Sequence, residues 1–444
     1  MLKKNAAFLT GAILYLLSIL GFLFLKPLNS MPYRNCNFYK KEMQCISQLP
    51  KQFSSEGKLS AGWFKCSLVP PITTPIAIDA DRGGKHWQQV HDTVYARAFV
   101  FSNGKQKTAF VSCELLIVPP VVVQKVNAKL RLHGFSEQNI FYTATHTHSS
   151  IGAWHPSPVG EIFAGKYDER VPEFFANQIV IAILNAEKAK APVKLFYKEI
   201  PTANLVCNRL VGKDGRVDST LRMVFLEHEN GESAAIVSFA AHATCLHKGT
   251  MEVSGDWPNT LITKMEDHKI VSFACYAAGA VGSHGPVEAR KNKWDEVRYM
   301  ADGVFSGIEK AKPNAVPTSG SLGMLHVPLY LRESSLRVNS HFALRSCWFE
   351  KFFGKEKVYI NVWNVGGIRF IGMPCDFSGE LTANLLSGMS GPCVITSFNG
   401  GYIGYVTADE RYGLNTYETR TMGWFGPSNG SYLVEVAKKI CSTL

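Results

Sequence analysis

The hydrophobic and polar positions divide the chain into three stretches. Ala6 to Leu25 is an unbroken uncharged run, preceded by Lys3 and Lys4 and closed by Lys26. A polar, irregular stretch follows to about residue 60, in which Gln52-Phe-Ser-Ser-Glu-Gly-Lys58 reads as a spacer. From Ala61-Gly-Trp63 onward, short apolar runs alternate with turn residues, as in a folded body.

Within that body, Thr93 to Phe101 has strand character, Ser102-Asn-Gly-Lys105 reads as a hairpin turn, and Thr108 to Ser112 returns as the partner strand. Pro120 to Leu132 reads as a helix, with proline near its start and Gly134 just past its end. Phe141 to Thr145 is β-branched and aromatic, which predicts a buried strand. Pro172 to Lys190 is an amphipathic helix with Phe175, Ile179, Ile183 and Ala186 on one face. Strands are expected over 193–200, 221–227 and 234–240, then helices over 260–268 and 294–311. The last third returns to β character at 322–331, 358–365, 367–372 and 393–398. Helices and strands that alternate early, with more β late, predict an α/β body of mixed β-sheets flanked by helices, a single large domain.

The N-terminal run changes the cellular picture. Twenty helical residues span about 30 Å, the thickness of a bilayer's hydrocarbon core. No small-x-small cleavage site follows it, so residues 1–26 are expected to be an uncleaved transmembrane anchor, with residues 6–25 in the membrane. A cleaved signal is the alternative. With two lysines ahead of the span, the body should lie on the exported, periplasmic or extracellular, side. Residues 27–60 would then be a juxtamembrane spacer and 61–444 the folded domain.

Composition adds less. The 444 residues are 46% hydrophobic and 19% charged, an ordinary globular balance, and no repeat or low-complexity tract stands out. The formal charge of +11 is scattered, with no aromatic-interleaved basic stripe, which argues against a nucleic-acid partner. A basic tethered protein would sit comfortably near anionic headgroups. Eleven cysteines in an exported chain permit disulfides, Cys36 with Cys45 first among them, and the odd count leaves at least one unpaired. Oligomeric state is not legible.

Candidate chemistry begins at Thr145-His-Thr-His-Ser149. In an extended chain residues i and i+2 point the same way, so His146 and His148 would face one cavity at a strand's C-terminal edge. Imidazole there is a metal ligand, an acid–base group, or simply a polar strand end. Phe239-Ala-Ala-His242 repeats the design, and its histidine reads as either a ligand or a satisfied core residue. Arg209 is the cation of a short polar break at Cys207-Asn-Arg-Leu210. Asp376, in Gly372-Met-Pro-Cys-Asp-Phe-Ser378, is a helix cap or a ligand. Tyrosines cluster in Tyr402-Ile-Gly-Tyr-Val-Thr407 and Tyr417-Glu-Thr-Arg420.

Taken in order, these segments resemble the neutral/alkaline (non-lysosomal) ceramidase family over about residues 61–435. Tyr95-Ala-Arg-Ala-Phe99, the His-Thr-His stretch, Asn208-Arg209 and Phe239-Ala-Ala-His242 match in family order. Ser254-Gly-Asp256, Ala278-Gly279, Pro374-Cys-Asp376, Tyr405-Val-Thr407, Tyr412 and Tyr417-Glu418 continue the series. The resemblance implies one Zn2+ per chain, held by His146, His242, Asp376 and Tyr405, with zinc acidifying a water that attacks an amide carbonyl. It places His148, Arg209 and Tyr417 around the scissile amide, where either of the first two would stabilise an oxyanion.

Three departures bear on that reading. The family's Gly-[Asp/Asn]-x-Ser-Pro-Asn loop is Gly279-Ala-Val-Gly-Ser-His-Gly-Pro286 here, so Gly282 lands on the serine position and Ser283 follows it; both are candidate substrate-binding residues. The family's Pro-Gly-Glu is Pro374-Cys-Asp376, one methylene shorter at the ligand, with Glu380 a weaker substitute. Ser149-Ser-Ile-Gly152 replaces Ser-Gly-Pro-Gly, and the chain reaches Leu444 about where the family's C-terminal β-sandwich starts. The expected function is zinc-dependent hydrolysis of the N-acyl amide of ceramide or a related N-acyl lipid. A zinc hydrolase on non-lipid amides and a non-catalytic lipid- or partner-binding relative are the alternatives.

Overall fold

The computed structural model describes residue 15 and residues 21–50, 57–78, 82–202, 204–246, 249–311, 314–315, 319–355 and 357–443. In chain order its main elements are β1 (Leu25–Pro27), α1 (Asn37–Ser47), β2 (Ser60–Ser67), β3 (Tyr95–Ser102) and β4 (Lys107–Cys113). Then come α2 (Pro120–Leu130), β5 (Ile140–Ala144), α3 (Pro158–Ala164), α4 (Arg170–Lys188), β6 (Ala191–Pro201), β7 (Thr220–His228) and β8 (Ser233–Phe239). They are followed by α5 (Asp256–Asp267), β9 (Phe273–Ala278), α6 (Lys293–Lys310), β10 (Leu322–Pro328), β11 (Phe342–Leu344) and α7 (Ser346–Phe353). The chain closes with β12 (Tyr359–Val365), β13 (Ile368–Gly372), β14 (Asp376–Phe377), β15 (Cys393–Thr396), β16 (Tyr405–Val406) and α9 (Asn429–Cys441), with the short α8 (Thr382–Leu386) before β15.

Eight strands form one mixed sheet in the order β9-β8-β7-β6-β2-β3-β4-β5, and Asn314–Ala315 pairs separately on β6. Its two end pairs, β4 with β5 and β8 with β9, are parallel. A second sheet runs β10-β12-β13-β15. Helices α2, α4, α5 and α6 bury their apolar faces on one side of the large sheet. Phe99, Phe110, Phe141, Trp363 and Phe370 fill the space between the two sheets, and α9 with α1 covers the outer face of the smaller one. The expected α/β body of mixed sheets is therefore an α/β/β/α sandwich.

What matters for the site is that the ends of β5 and β8 are stitched together. Thr143 Oγ1 donates to the Ser397 carbonyl at 2.9 Å, and the Ser397 N–H donates to the Ala278 carbonyl at 2.8 Å. Just past β15, Ser397 thus holds β5 against β9, the parallel neighbour of β8. The His-Thr-His loop is tied to α5 by Thr147 Oγ1, which donates to the Ser254 carbonyl at 2.8 Å. Trp257, on the same helix, donates through Nε1 to the His242 carbonyl at 3.0 Å. Ser254-Gly-Asp256 is the anchor of both histidine loops.

Two expectations are corrected. The polar stretch read as a spacer over 27–60 contains α1, whose Ile46 and Glu42 are buried against the smaller sheet and α9. All eleven cysteines are free. Cys36 caps α1 and Cys45 lies near its end, nine residues on, about 13 Å along the axis and far beyond disulfide reach. Most of the run 6–25, expected to be an anchor, lies outside the described residues. Among the described residues no helix is long and apolar enough to cross a membrane.

Candidate active site

His146 and His148 meet in one pocket, but not by strand alternation. β5 stops at Ala144, and His146 has φ +64°, a left-handed backbone that β-strands do not contain. The kink turns the His146 ring under Phe398, itself at φ +63°, with the two rings stacked at 4.1 Å. Backbone strain of this kind persists only where surrounding structure holds it, here through the stitches to Ser397 and Ser254.

Both ligand-type histidines have fixed tautomers. His146 Nδ1 lies 2.7 Å from the Leu116 carbonyl, and His242 Nδ1 lies 2.8 Å from the carbonyls of Val281 and His284. A carbonyl only accepts, so each Nδ1 carries the proton and each Nε2 presents a lone pair to the other side. Those lone pairs converge on Asp376: His146 Nε2 is 3.3 Å and His242 Nε2 3.2 Å from its Oδ1. His148 Nε2 is 3.3 Å from His146 Nε2. The three imidazoles offer ligand atoms within 4.8 Å of one another. His148 Nε2 therefore lies beside the nitrogens of His146 and His242.

Asp376 is fully buried on β14, which pairs in parallel with β16 so that Asp376 lies opposite Tyr405. The cap at this turn is Ser378, which accepts from the Glu380 N–H, so Asp376 is not the helix cap. Glu380 pairs with Arg411 at 3.0 Å, away from the histidines. Tyr402 donates its hydroxyl to Asp376 Oδ2 at 2.7 Å, while Oδ1 has no hydrogen-bond donor among the described residues. Burial, aided by the Arg209 charge, lowers the His242 imidazole to about 3. Burial and the neighbouring His146, His242 and Arg209 also hold His148 well below its ordinary value. The Nε2 atoms of His146 and His242 thus face a buried carboxylate oxygen that lacks a donor. This is a donor set for a cation.

Tyr405 completes the set, with its hydroxyl 3.2 Å from His242 Nε2. Burial and Asp376 raise its phenol well above the ordinary value, against the pull of Arg209. Arg209 Nη2 donates to the Tyr405 hydroxyl at 2.9 Å, and its Nε donates to Glu418 at 2.8 Å. Tyr417 is 49% exposed, its ring edge-on to Tyr405 at 5.8 Å. Of the expected residues, His146, His148, His242, Asp376, Tyr405, Arg209 and Tyr417 are brought together.

Gly282 and Ser283 are not at the pocket surface. Gly282 lies behind Asp376, its N–H donating to the Phe377 carbonyl at 2.8 Å. A Cβ on Gly282 would stand 2.4 Å from the Asp376 carbonyl oxygen, so only glycine allows this approach. Ser283 has φ +62° and is fully buried, and its hydroxyl accepts from Ser378 at 3.1 Å. The loop packs behind Asp376, and neither residue lines the cavity. Tyr402 and Glu418 are functional neighbours that sequence reasoning did not single out, although both lie inside segments already marked, Tyr402-Ile-Gly-Tyr405 and Tyr417-Glu418.

The cluster sits in the wall of a cavity of about 1550 Å³. His146, His148, Arg209, Tyr405 and Tyr417 form its polar end. Trp154, Phe163, Phe349, Phe353, Trp424 and Phe425 add an aromatic part to the lining suited to an apolar chain, beside charged residues that include Glu137, Arg332, Glu333 and Lys357.

Residues 84–274 match the family model of neutral/alkaline non-lysosomal ceramidases, N-terminal part. The chain is 26% identical over 183 residues to the neutral ceramidase of Pseudomonas aeruginosa, covering 38% of this chain and 27% of that protein. It is 26% identical over 185 residues to neutral ceramidase B of Dictyostelium discoideum, covering 38% and 26%. It thus spans about a quarter of the length of the curated relatives it matches. The crystal structure of the Pseudomonas aeruginosa neutral ceramidase superposes with a TM-score of 0.72 at 18% identity, over 87% of this chain and 74% of that one. A structure described as ceramidase complexed with C2 gives a TM-score of 0.76 at 17% identity, over 87% and 75%. The structural likeness shows a common fold.

Proposed function

We propose that this chain, which belongs to the neutral/alkaline non-lysosomal ceramidase family, is a zinc-dependent amidohydrolase that cleaves the N-acyl amide of ceramide or a related N-acyl lipid. One observation carries the reading: Asp376 Oδ1, buried and without a donor, lies between two imidazole lone pairs whose tautomers are fixed from behind. His146, His242, Asp376 and Tyr405 would hold the zinc, with His148 beside them. When bound, the metal supplies a nucleophile at neutral pH by acidifying a water.

The chain's own residues do the rest. Arg209, clamped by Glu418, keeps its Nη2 at the Tyr405 hydroxyl, where it faces the position of an amide carbonyl and offers N–H groups to a developing oxyanion. His148 is neutral and has one nitrogen at the cluster, so it can take a proton during attack and return it to the departing amine. Tyr417, half exposed at the polar end, is placed to orient the headgroup. The aromatic cavity holds the acyl chain and excludes water, which strengthens each polar contact at the scissile bond. The altered loop at 279–286 lies behind Asp376, so its departures leave the cavity surface intact. That favours an enzyme over a non-catalytic relative. We place the domain on the exported side, because Lys3 and Lys4 precede the apolar run.

The test is release of fatty acid from a panel of N-acyl lipids with and without a chelator, alongside zinc content of the purified chain and of His146→Ala. The expectation is one zinc lost on substitution, together with chelator-sensitive release. Absence of chelator-sensitive release from every lipid would rule the amidase out.

A further inference from the structure

Four exposed apolar residues that the proposed chemistry does not use, Phe22, Leu23, Phe342 and Phe352, lie together. β1 pairs antiparallel with β11, placing Leu25 opposite Leu344 and Pro27 opposite Phe342. Directly after β11 comes α7, Ser-Cys-Trp-Phe-Glu-Lys-Phe-Phe. Its aromatics fall into two pairs four residues apart, and such pairs share a helix face. Phe349 and Phe353 line the cavity. Trp348 and Phe352 stack on each other at 6.2 Å on the outer face, and Trp348 stacks on Phe24 at 4.6 Å. Around them Phe22 is 75%, Leu23 51%, Phe342 44% and Phe352 39% exposed.

Cations are interleaved with these rings. Arg345 lies over the Phe22 ring at 5.1 Å, and Lys351 over Trp348 at 5.2 Å. Aromatic rings mixed with basic side chains form the composition of a bilayer's headgroup boundary, apolar towards the acyl region and charge-matched to anionic lipid. The patch is also where the uncharged run beginning at Ala6 arrives: its last residues, 21–25, are part of the patch.

We infer that the outer face of α7, with residues 22–24 and Phe342, is a bilayer-docking rim. It sets the cavity against the membrane, so that an N-acyl lipid passes along α7 without crossing water. One helix separates the two surfaces, with Trp348 and Phe352 towards lipid and Phe349 and Phe353 towards the cavity. Each methylene spared exposure to water on that path is worth roughly fourfold in partitioning. The rim's role in delivering substrate rests on the amidase reading. The docking itself does not.

The experiment uses the full chain with phosphatidylcholine–phosphatidylserine vesicles whose acyl chains are brominated. Trp348 emission is isolated as the difference between the chain and its Trp348→Phe variant. Quenching of that component is expected, and it should be lost in Phe342→Asp/Phe352→Asp. The same double variant should release fatty acid from bilayer-embedded ceramide at least roughly tenfold more slowly. It should turn over a soluble short-chain N-acyl amide unchanged, since neither residue lines the cavity. Vesicle binding with unquenched Trp348 overturns the inference, because the patch is then covered by the chain's own N-terminal residues. An unquenched Trp348 together with a dimer that the double variant dissolves also overturns it, in favour of a second copy of the chain. Quenching without chelator-sensitive hydrolysis keeps the docking and removes the amidase; soluble turnover without quenching does the reverse.

Discussion

The Arg97 cluster and the Asp376 cluster both take carboxylates out of water, and they balance that cost differently. Arg97 donates through Nε to Glu114 at 2.8 Å and through Nη1 to Glu266 at 2.6 Å. The second Glu114 oxygen accepts from Asn259 at 2.7 Å and the Tyr95 N–H at 3.2 Å, and the second Glu266 oxygen accepts from Lys65 at 2.7 Å. That network closes on itself. Around Asp376 one oxygen is satisfied by Tyr402 and the other meets only lone pairs. A closed network is structural and an open one is a place for a cation. A third buried carboxyl, Glu42 of α1, shows another outcome. Its Oε2 accepts from the Tyr330 N–H and Tyr432, its Oε1 has no partner, and no basic side chain pairs with it among the described residues. Burial pushes it up to about 7, so it takes a proton instead.

Substitutions should separate the three. Asp376→Asn should abolish zinc binding and cut fatty-acid release by at least roughly a thousandfold, because the metal-derived nucleophile is gone. The metal-free protein should melt no lower than before, since the new amide N–H group can donate to the imidazole lone pairs. Mass spectrometry of the bound metal and a thermal melt check both halves. Arg97→Met should do the opposite, lowering folding stability by about 3–5 kcal/mol in a urea titration by leaving the buried Glu114 carboxylate without its cation, while Glu266 keeps Lys65. If the two variants behave alike, the contrast between open and closed clusters fails.

Glu42 gives a pH signature. Its carboxyl rises from 4.5 in the ordinary state to about 7 in the fold, so the protonated form favours folding. This stability is fully present below about 4.5 and is lost as pH rises through about 7, on the order of 3 kcal/mol at most. Glu42→Gln should flatten the difference between urea midpoints at pH 5 and pH 8. The smallest effect is expected for Tyr402→Phe, which frees Asp376 Oδ2 without removing a ligand. Zinc affinity by chelator competition should fall about 10–100-fold, with the fold's stability nearly unchanged.

Much of this architecture is legible in the chain. The strands leading to His146 and His242, the proline-started α2 and the amphipathic α4 follow from local pattern, since each element's apolar period is complete within its own sequence. α1 was not legible. Asn-Phe-Tyr-Lys-Lys-Glu-Met-Gln reads as polar surface until α9 supplies a partner, and Glu42 meets Tyr432 390 residues away. The pairing of His146 with His148 was expected for the wrong reason, because the left-handed kink at His146 depends on Ser397 and Phe398, both distant in sequence. The same holds for Ser283. Motif position suggests a substrate contact, whereas its hydroxyl is buried and accepts from Ser378.

The contact between Gly282 and the Asp376 backbone constrains how this site can change. A side chain at 282 would drive a Cβ into the Asp376 carbonyl, so the ligand strand would have to retreat. Retreat by about the length of one C–C bond would strand a short carboxylate and suit a longer one. Serine at 282 and glutamate at 376 are thus alternatives to be exchanged together: either single substitution should damage the site, and the pair should restore it.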